Sequence, residues 1–271
     1  MTTNQPKHKF ELLIDADSLL YSAAIMAETE IEWDIDSWTL VCDHAQAKEH
    51  FIAKVTDLIH LSKCSAYTLA FTDTKCFRYG VYPEYKQKRK RLRKPAGYSA
   101  LKKWALEGDE LPNDCPGRSL MWRNLEADDL ISILATEPDK CKTRVIYSID
   151  KDLLQVPGVH FKLEQKDDFV HALFLTLLPK EAYYNFLTQT LTGDAVDNYK
   201  GLPSCGPVSA KKILDKSPSW RGVLSAYTQK GFSEEYALQQ ARLAKLLHWG
   251  MYDEQTNEVK LWNEKFNIGH I

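Results

Sequence analysis

The order of apolar and polar positions predicts three buried strands with helices between them. Short apolar runs occupy residues 10–14, 66–71 and 144–149. Residues 43–61 place apolar side chains at helical spacing, and residues 18–27 predict a helix that its first residue, a serine, caps. Strands that alternate with helices favour an α/β fold with a mostly parallel, doubly wound sheet.

Each of the three predicted strands ends at an aspartate. Asp15, Asp73 and Asp150 follow the three apolar runs closely. Because the carboxyl ends of parallel strands meet at one edge of a sheet, we expect these side chains to share one crevice. A turn or helix-capping role is the alternative for any single one of them. Three such residues in one sheet favour a functional site.

More acidic residues fall at the same edge of the predicted sheet. Asp152 lies two residues after Asp150, and Glu126, Asp128 and Asp129 open a predicted helix. Carboxylates held this close repel one another and raise one another's pKa values, so a cation stabilises the cluster. Hard divalent ions prefer oxygen ligands, and the cluster therefore predicts a metal site. A solvated helix start is the alternative for the three acids on the helix.

A strongly basic segment precedes this acidic helix start. Seven positive charges occupy the nine residues 86–94, although the net charge of the chain is only −2. Such runs are often solvated or disordered. Beside an anionic metal site, and with aromatic residues interleaved, this run favours a polyanionic substrate such as nucleic acid. Prolines and glycines interrupt residues 91–124, which predicts a long, broken and functional connection.

The C-terminal part has the pattern of a helical nucleic-acid-binding region. Predicted helices over residues 180–191 and 233–249 flank a glycine turn that leads into a further helix. In a helix-hairpin-helix motif such a turn brings backbone amides against a DNA phosphate, although an ordinary corner between helices also needs glycines. We therefore expect an α/β core over residues 1–180 and a helical DNA-binding region over residues 181–271. The residues that carry this prediction are Gly201, Gly206, Lys211 and Lys212.

Composition indicates a cytosolic protein. Six cysteines show neither close pairing nor zinc-like spacing, which favours reduced thiols. The first residues are polar and do not resemble a signal peptide. The longest apolar run, residues 169–178, is far shorter than the ~20 residues of a membrane span.

Two other classes of protein share part of this pattern. Asp15 and Asp17 after a strand, with a later Gly-Asp segment at residues 193–197, are also typical of haloacid-dehalogenase-type phosphatases. That fold needs the later acids after a strand, whereas residues 183–191 predict a helix. A non-catalytic DNA-binding protein would use the basic segment and the glycine turn and would leave the acids unexplained. A nuclease explains all three features.

The motifs resemble those of the 5′-nuclease, or flap endonuclease, superfamily, and their order and spacing match over residues 15–213. Residues 42–45, 94–98 and 241–262 are similar to exonucleases of short-tailed, podovirus-type bacteriophages. Ala16 stands where many members have glycine, so Asp17 is not assigned as a metal ligand. The matching motifs contain Asp15, Asp73, Tyr85, Lys86, Arg89, Glu126, Asp128, Asp129, Asp150, Asp152, Asp194, Asp197 and the turn from Gly201 to Gly206.

The resemblance implies a magnesium-dependent 5′→3′ exonuclease that acts on duplex DNA with a 5′ end. Mn²⁺ is expected to substitute for the two Mg²⁺ ions, and a K⁺ ion is expected at a helix-three-turn-helix. RNA in RNA–DNA hybrids is a further expected substrate, replication proteins are expected partners, and the cytoplasm is the expected location. Flap endonuclease activity is the alternative.

The resemblance also implies roles for individual residues. Lys86 and Arg89 match residues that contact the scissile phosphate, and Tyr85 matches a residue that stacks on a base. Arg78 is expected among the DNA-binding residues, and residues 86–124 match a helical arch over the active site. One metal ion is expected among Asp15, Asp73, Glu126 and Asp128, and the second among Asp129, Asp150, Asp152, Asp194 and Asp197.

Overall fold

The computed structural model describes residues 9–138, 143–167 and 169–267. Within these residues the strands are β1 (Phe10–Asp15), β2 (Glu28–Asp34), β3 (Ser37–Cys42), β4 (Ala66–Ala70), β5 (Gly117–Leu120), β6 (Thr143–Tyr147), β7 (Gly158–Lys166), β8 (Phe169–Leu177), β9 (Tyr252–Asp253) and β10 (Glu258–Val259). The α-helices are α1 (Ala16–Met26), α2 (His44–Ser62), α3 (Arg78–Val81), α4 (Tyr98–Glu107), α5 (Ala127–Ala135), α6 (Pro179–Thr192), α7 (Pro207–Lys216), α8 (Trp220–Gln229) and α9 (Glu234–Ala244). Short 3₁₀ helices cover Gln87–Arg91, Lys151–Gln155 and Glu264–Asn267.

One mixed sheet forms the centre of the molecule, with the strand order β5-β4-β1-β6-β7-β8. β1 is parallel to β4 on one side and to β6 on the other. β5 and β7 continue the parallel pairing, and β8 is antiparallel to β7 at one edge. The chain moves from β1 to one side of the sheet and later to the other, which puts a crevice at the carboxyl end of β1. The predicted mostly parallel, doubly wound sheet is confirmed.

Alternate residues of β1 face the two layers of the core. Leu12 and Ile14 pack in a cluster with apolar residues of α1, α2 and α4. Leu13 faces the opposite layer, where it packs with Leu130 of α5 and Ile146 of β6. Because helices cover both faces, the strand is apolar at successive positions instead of alternating with polar ones.

A third apolar cluster holds the C-terminal helices together. Phe186, Tyr227 and Trp262 are fully buried in it. The cluster also includes Tyr85 and Leu125, which come from the segments before α4 and α5. The C-terminal helices are thereby fixed beside the carboxyl ends of the strands. Residue 180, the expected boundary, lies in the first turn of α6.

Two predicted helices differ from the structure at their ends, and one hairpin was not predicted. α1 begins at Ala16 with Asp15 as its N-cap residue, and Ser18 lies inside the helix, where its hydroxyl donates to the Asp15 carbonyl. The helix predicted over residues 233–249 ends at Ala244. Residues 28–42, for which no element was predicted, form the antiparallel hairpin of β2 and β3.

The arch predicted over residues 86–124 is too long. Leu101 and Ala105 of α4 are buried in the same cluster as α1 and α2, and β5 pairs with β4 in the central sheet. Both elements therefore belong to the α/β core. Residues 86–97 are the part of the segment that can still form an arch.

The apolar run over residues 169–178 lies mainly in β8, the antiparallel edge strand. None of the helices in the described part of the chain has both the length and the apolar character needed to cross a membrane.

Candidate active site

A pocket of about 150 Å³ opens at the carboxyl ends of β1 and β6, where the sequence predicted a crevice. Its walls come from the sheet, from the segment before α4 and from the C-terminal region. The predicted site residues that line it are Asp15, Arg78, Tyr85, Lys86, Arg89, Glu126, Asp128, Asp150, Asp152 and Asp197.

One half of the pocket is acidic. Asp15 ends β1, Asp128 lies in the first turn of α5, and Asp150 and Asp152 follow β6. Burial and repulsion from Asp17 and Asp150 raise the pKa of Asp15 to about 6. Burial and repulsion from Asp15 and Asp150 also raise the pKa of Asp128 above its ordinary value. This half of the pocket therefore disfavours the charged form of its own carboxyl groups.

Asp152 has a buried oxygen, Oδ1, that has no hydrogen-bond partner among the described residues. Burial and the neighbouring Asp150 raise the pKa of Asp152 to about 6. The carboxylate of Asp150 accepts a hydrogen bond from the amide of Asp152 at 2.9 Å, which fixes the loop between them. A buried carboxylate oxygen without a donor is costly, and a bound cation would satisfy it.

The other half of the pocket pairs acids with bases. Glu126 accepts hydrogen bonds from Lys86 and, at 3.0 Å, from Arg78. Burial acts to raise the pKa of Glu126, but these two cations outweigh it and hold the pKa at about 2. Asp197 lies 2.6 Å from Arg89 and 3.6 Å from Lys86. Two carboxylates and two of the predicted phosphate-binding residues thus form one ionic network.

Lys86 is held in this network by its backbone as well as by its side chain. Its φ angle is +54°, a left-handed conformation that is uncommon for a side-chain-bearing residue. The amide of Lys86 donates to the carbonyl of Asp197 at 2.9 Å. Burial acts to lower the pKa of Lys86, but Glu126 and Asp197 outweigh it and raise the pKa. The ammonium group is therefore kept charged beside the acidic half of the pocket.

Arg78 is only 1% exposed, so it cannot contact DNA in this conformation and its predicted role in DNA binding is wrong. Its guanidinium binds both oxygens of Asp129, at 2.5 and 2.9 Å, and donates to the carbonyls of Leu243 and Lys245. Asp129 is fully buried and also accepts from the amide of Leu247. The predicted role of Asp129 as a metal ligand is therefore not supported, since both of its oxygens are occupied and it does not line the pocket. The pair joins α3 and α5 to the end of α9.

Tyr85 is also placed differently from its prediction. The side chain is 2% exposed, so it cannot stack on a base in this conformation. Its hydroxyl lies 3.0 Å from Glu126 and 2.9 Å from Asp197 and bridges the two carboxylates. Tyr85 therefore positions the paired half of the pocket.

Two further predicted metal ligands, besides Asp129, lie outside the pocket lining. Asp73 accepts hydrogen bonds from the amides of Thr74 and Asn124, which is the turn role given above as the alternative. Asp194 accepts from the amides of Val196 and Asp197. In this conformation the side chains of Asp73 and Asp194 stabilise loops, and their assignment as ligands is not supported.

Asp17, which was left unassigned, lines the pocket and is held by three donors. The amide of Thr72, the hydroxyl of Tyr98 and the ammonium of Lys102 lie 2.9, 3.0 and 3.1 Å from its oxygens. Tyr98 and Lys102 were not predicted as site residues, since nothing in the sequence relates residues of α4 to the end of β1, some 80 positions earlier. Asp17 is thereby fixed as a neighbour that raises the pKa of Asp15.

The glycine turn lies between α6 and α7, as predicted. Gly193 and Gly201 both have positive φ angles, and a Cβ on Gly201 would lie only 2.3 Å from the Gly193 nitrogen. The close contact of these two backbones therefore requires glycine. At Gly206, the N-cap residue of α7, an added Cβ would meet nothing within 4 Å. Lys211 and Lys212 are exposed on α7, where Lys211 pairs with Asp215 at 2.7 Å.

The acidic half of the pocket has donors that fit hard divalent cations. It offers several carboxylates and the unpartnered Asp152 oxygen. Within residues 9–138, 143–167 and 169–267, no three His, Cys, Asp or Glu side chains are close enough to enclose one ion directly. Mg²⁺ usually keeps several water molecules and contacts only one or two carboxylates, so this wider spacing suits ions held partly through water.

Comparison with known proteins agrees with this architecture. Residues 11–174 match the family described as 5′-3′ exonuclease, N-terminal resolvase-like domain. The exodeoxyribonuclease of Enterobacteria phage T3 is 26% identical over 94% of this chain and 93% of its own length, and the exonuclease of Escherichia phage T7 is 26% identical over 93% and 92%. The phage T5 D15 flap endonuclease, solved with DNA and metal ions, shares the fold at a TM-score of 0.61 and 13% identity, covering 88% of this chain and 89% of that one. The chain therefore belongs to the 5′-3′ exonuclease family, as a 5′-nuclease of the phage type.

Proposed function

We propose that this 5′-nuclease is a magnesium-dependent exonuclease that hydrolyses the phosphodiester bonds of duplex DNA from 5′ ends. The observation that carries the proposal is the divided pocket. Its acidic half offers carboxylates that need a cation, and its paired half holds two cationic side chains next to them. The carboxylates would bind the positively charged metal ions, and the cationic side chains would bind the negatively charged substrate phosphate. The pocket can therefore hold both together.

The residues that would hold the metal ions are Asp15, Asp128, Asp150 and Asp152. Two divalent ions bound there would supply an activated water molecule and stabilisation of the leaving oxygen in an in-line displacement. Glu126 borders this group, and its pKa of about 2 keeps it ionised at neutral pH. The likeness to the T5 enzyme solved with metal ions supports this assignment.

Lys86 and Arg89 are the residues that would contact the scissile phosphate. Lys86 remains protonated beside Glu126 and Asp197, so its ammonium can balance charge that builds on the phosphoryl oxygens. The Arg89 side chain is 45% exposed and can turn toward an entering strand, and its planar guanidinium can bind two oxygens at once. An entering phosphate would compete with Asp197 for both cations.

The turn from Gly201 to Gly206 and the start of α7 would hold the duplex beyond the active site. Val208 and Ser209 are exposed in the first turn of α7, so their backbone amides can face a phosphate. Lys211 and Lys212 follow on the same helix and add positive charge. The resemblance also implies a K⁺ ion at this turn, which would add positive charge where the phosphate binds.

The decisive test is digestion of a 5′-labelled blunt duplex in Mg²⁺, with the products sized on a gel. An exonuclease of this polarity releases labelled mononucleotides or very short products from the first turnover. Labelled fragments that shorten progressively from the other end would contradict the proposed direction. The same reaction in EDTA should release nothing, and Mn²⁺ should restore activity.

Flap endonuclease activity is the second candidate, because the fold is shared with a T5 flap endonuclease. A matched substrate with a single-stranded 5′ flap distinguishes the two activities. Cleavage mainly at the base of the flap, with little release from the blunt duplex, would favour the endonuclease. A 5′-labelled RNA strand annealed to DNA, tested in parallel, examines the expected action on RNA–DNA hybrids.

A further inference from the structure

A second and larger cavity lies behind the active site. Its volume is about 540 Å³, within the range of roughly 300–1,000 Å³ that small-molecule sites occupy. Its walls come from the end of α5, the 3₁₀ helix after β6, the start of α6 and the chain after α9. Most of the lining is apolar or aromatic and includes Pro157, Pro179, Tyr183, Trp249 and Met251.

Three buried polar groups belong to residues that line this cavity. Lys245 is 6% exposed and forms no ion pair with any carboxylate among the described residues, and its ammonium lies 2.8 Å from the His248 imidazole. The Trp262 indole N–H and the Gln155 side-chain oxygen are both buried, and the described residues supply no partner for either. Buried polar groups without partners cost free energy, so a cavity that gathers two of them beside a buried ammonium with no carboxylate partner is suited to a ligand.

Lys245 contacts a residue of the active site and also lines the second cavity. Its carbonyl accepts from Arg78, which lines the active-site pocket, at 2.9 Å, while its side chain lines the second cavity. Burial lowers the pKa of Lys245 to about 7, and the charge of Asp129 opposes this only in part. Asp129 is itself saturated by Arg78. Lys245 therefore has no carboxylate counter-ion of its own among the described residues, and an anionic ligand would supply one.

We propose that this second cavity is a binding site for a small aromatic anion. The anionic group would bind the Lys245 ammonium and the Trp262 N–H, and the flat apolar body would lie among the prolines and aromatic rings of the wall. A donor on the ligand would satisfy the Gln155 oxygen. Two sources share this chemistry, namely nucleoside monophosphates, which an exonuclease releases, and aromatic carboxylates. The site does not depend on the nuclease reaction.

The test is isothermal titration of the full chain in EDTA with thymidine 5′-monophosphate and, separately, with 1-naphthoate. We expect saturable 1:1 binding of at least one probe. Lys245→Met, which removes the charge and keeps the bulk, should weaken that binding about tenfold or more, the effect of one charge-assisted hydrogen bond. Trp262→Phe should weaken it several-fold, and uncharged thymidine should bind about tenfold more weakly than its monophosphate.

Two control variants make the outcome specific. Lys103→Met removes an exposed lysine from α4 and should leave the affinity unchanged. Lys86→Ala should also leave it unchanged, because Lys86 lines the active-site pocket and not the second cavity. A loss of affinity in this variant would place the probe in the active site instead. Binding of thymidine monophosphate identifies a nucleotide site, and binding of naphthoate alone identifies a carboxylate site. Absence of binding by both probes, or equal affinity in the wild type, Lys245→Met and Trp262→Phe, overturns the proposal.

Discussion

The guanidinium of Arg78 meets both oxygens of the Asp129 carboxylate, with N–O distances of 2.5 and 2.9 Å, in a fully buried pair. The same guanidinium binds Glu126 in the active site and the carbonyls of Leu243 and Lys245 at the end of α9. One side chain therefore ties the catalytic helix start to the C-terminal region. Because these contacts bury Arg78, its side chain is not accessible to DNA, although the sequence predicted that it would bind DNA.

Arg78→Met should destabilise the protein by about 3–5 kcal/mol, because it leaves the Asp129 charge buried without a partner. The free energy of unfolding in urea measures this loss. Arg118→Met is the matched control, since Arg118 forms a half-exposed ion pair with Glu11 and should cost less than about 1 kcal/mol. Equal losses in the two variants would show that Arg78 has no special structural role.

Asp128→Ala and Asp150→Ala should abolish cleavage while duplex binding is kept. Both carboxylates lie in the acidic half of the pocket, and both would bind the metal ions. Cleavage is measured under single-turnover conditions in Mg²⁺, and affinity is measured in Ca²⁺. Asp73→Ala is an informative comparison, because its side chain accepts from loop amides outside the pocket. Near-normal turnover in Asp128→Ala or Asp150→Ala would contradict the two-metal assignment.

Without divalent metal, the free energy of unfolding should fall as the pH rises from about 4 to 7. Aspartates in an unfolded chain titrate near pH 4, roughly, whereas the folded protein raises the pKa of Asp15 and Asp152 to about 6. The folded state therefore holds more protons in this window, and raising the pH removes that advantage. Glu126 has the opposite sign, but its pKa of about 2 places its effect at lower pH.

The double variant Asp15→Asn/Asp152→Asn isolates this contribution from the remaining titrating groups. Its urea midpoint in EDTA should vary less between pH 5 and 7 than the midpoint of the wild type. Addition of Ca²⁺ should stabilise the wild type more at pH 7 than at pH 5, and the variant at neither pH. If the urea midpoint of the wild type rises with pH relative to that of the variant, the pKa values of Asp15 and Asp152 are not raised in the folded protein.

The sequence predicted the sheet and much of the acidic half of the pocket, because both depend on local patterns. Apolar runs of strand length gave β1, β4 and β6, and the aspartates after β1 and β6 meet as expected. β5 was missed because it is a four-residue edge strand with the polar sequence Gly-Arg-Ser-Leu. The β2–β3 hairpin was missed because its largely exposed, acid-rich strands do not carry the apolar pattern of a buried strand.

The errors at the site have a common physical cause. Arg78 is buried by partners 48, 51, 165 and 167 positions away in sequence. Tyr85 is likewise fixed by carboxylates 41 and 112 positions away. A sequence shows that such residues are polar or aromatic, and it does not show that distant partners cover them. Motif membership therefore indicated that Tyr85 and Asp129 matter without indicating whether they face the substrate.

Lys86→Ala should lower the single-turnover cleavage rate by about 10²–10³-fold and change duplex affinity little, as expected for loss of one preorganised electrostatic contact. The side chain points to Glu126 and Asp197 inside the pocket rather than toward the surface. Lys88→Ala is the matched control from the same basic segment, because Lys88 is exposed and donates to the Ala195 carbonyl outside the pocket lining. If the Lys86 variant loses affinity while its rate stays intact, Lys86 binds phosphate generally.

Lys211→Ala/Lys212→Ala should weaken duplex binding and reduce the dependence of log Kd on log salt by about one or two units, through counter-ion release. Both lysines are exposed near the start of α7 and close to the glycine turn. Lys216→Ala, in the last turn of the same helix, is the control and should leave the salt dependence nearly unchanged. An unchanged slope in the double variant would exclude this helix start as a phosphate anchor.

Residues 86–97 should become ordered when a 5′ end enters, whereas α4 and β5 should be ordered already. Lys86, Arg89 and Arg93 already have carboxylate partners in the protein. The other positive charges of residues 86–94 repel one another until a phosphate backbone neutralises them, so ordering and binding are coupled. α4 and β5 are instead fixed by buried apolar contacts and by pairing with β4. Hydrogen exchange with and without a 5′-ended duplex in Ca²⁺ should therefore show new protection in residues 86–97 and no new protection in α4 and β5. Full protection of these residues in the free protein, or efficient cutting of covalently closed duplex circles, would show that no 5′ end has to pass this segment.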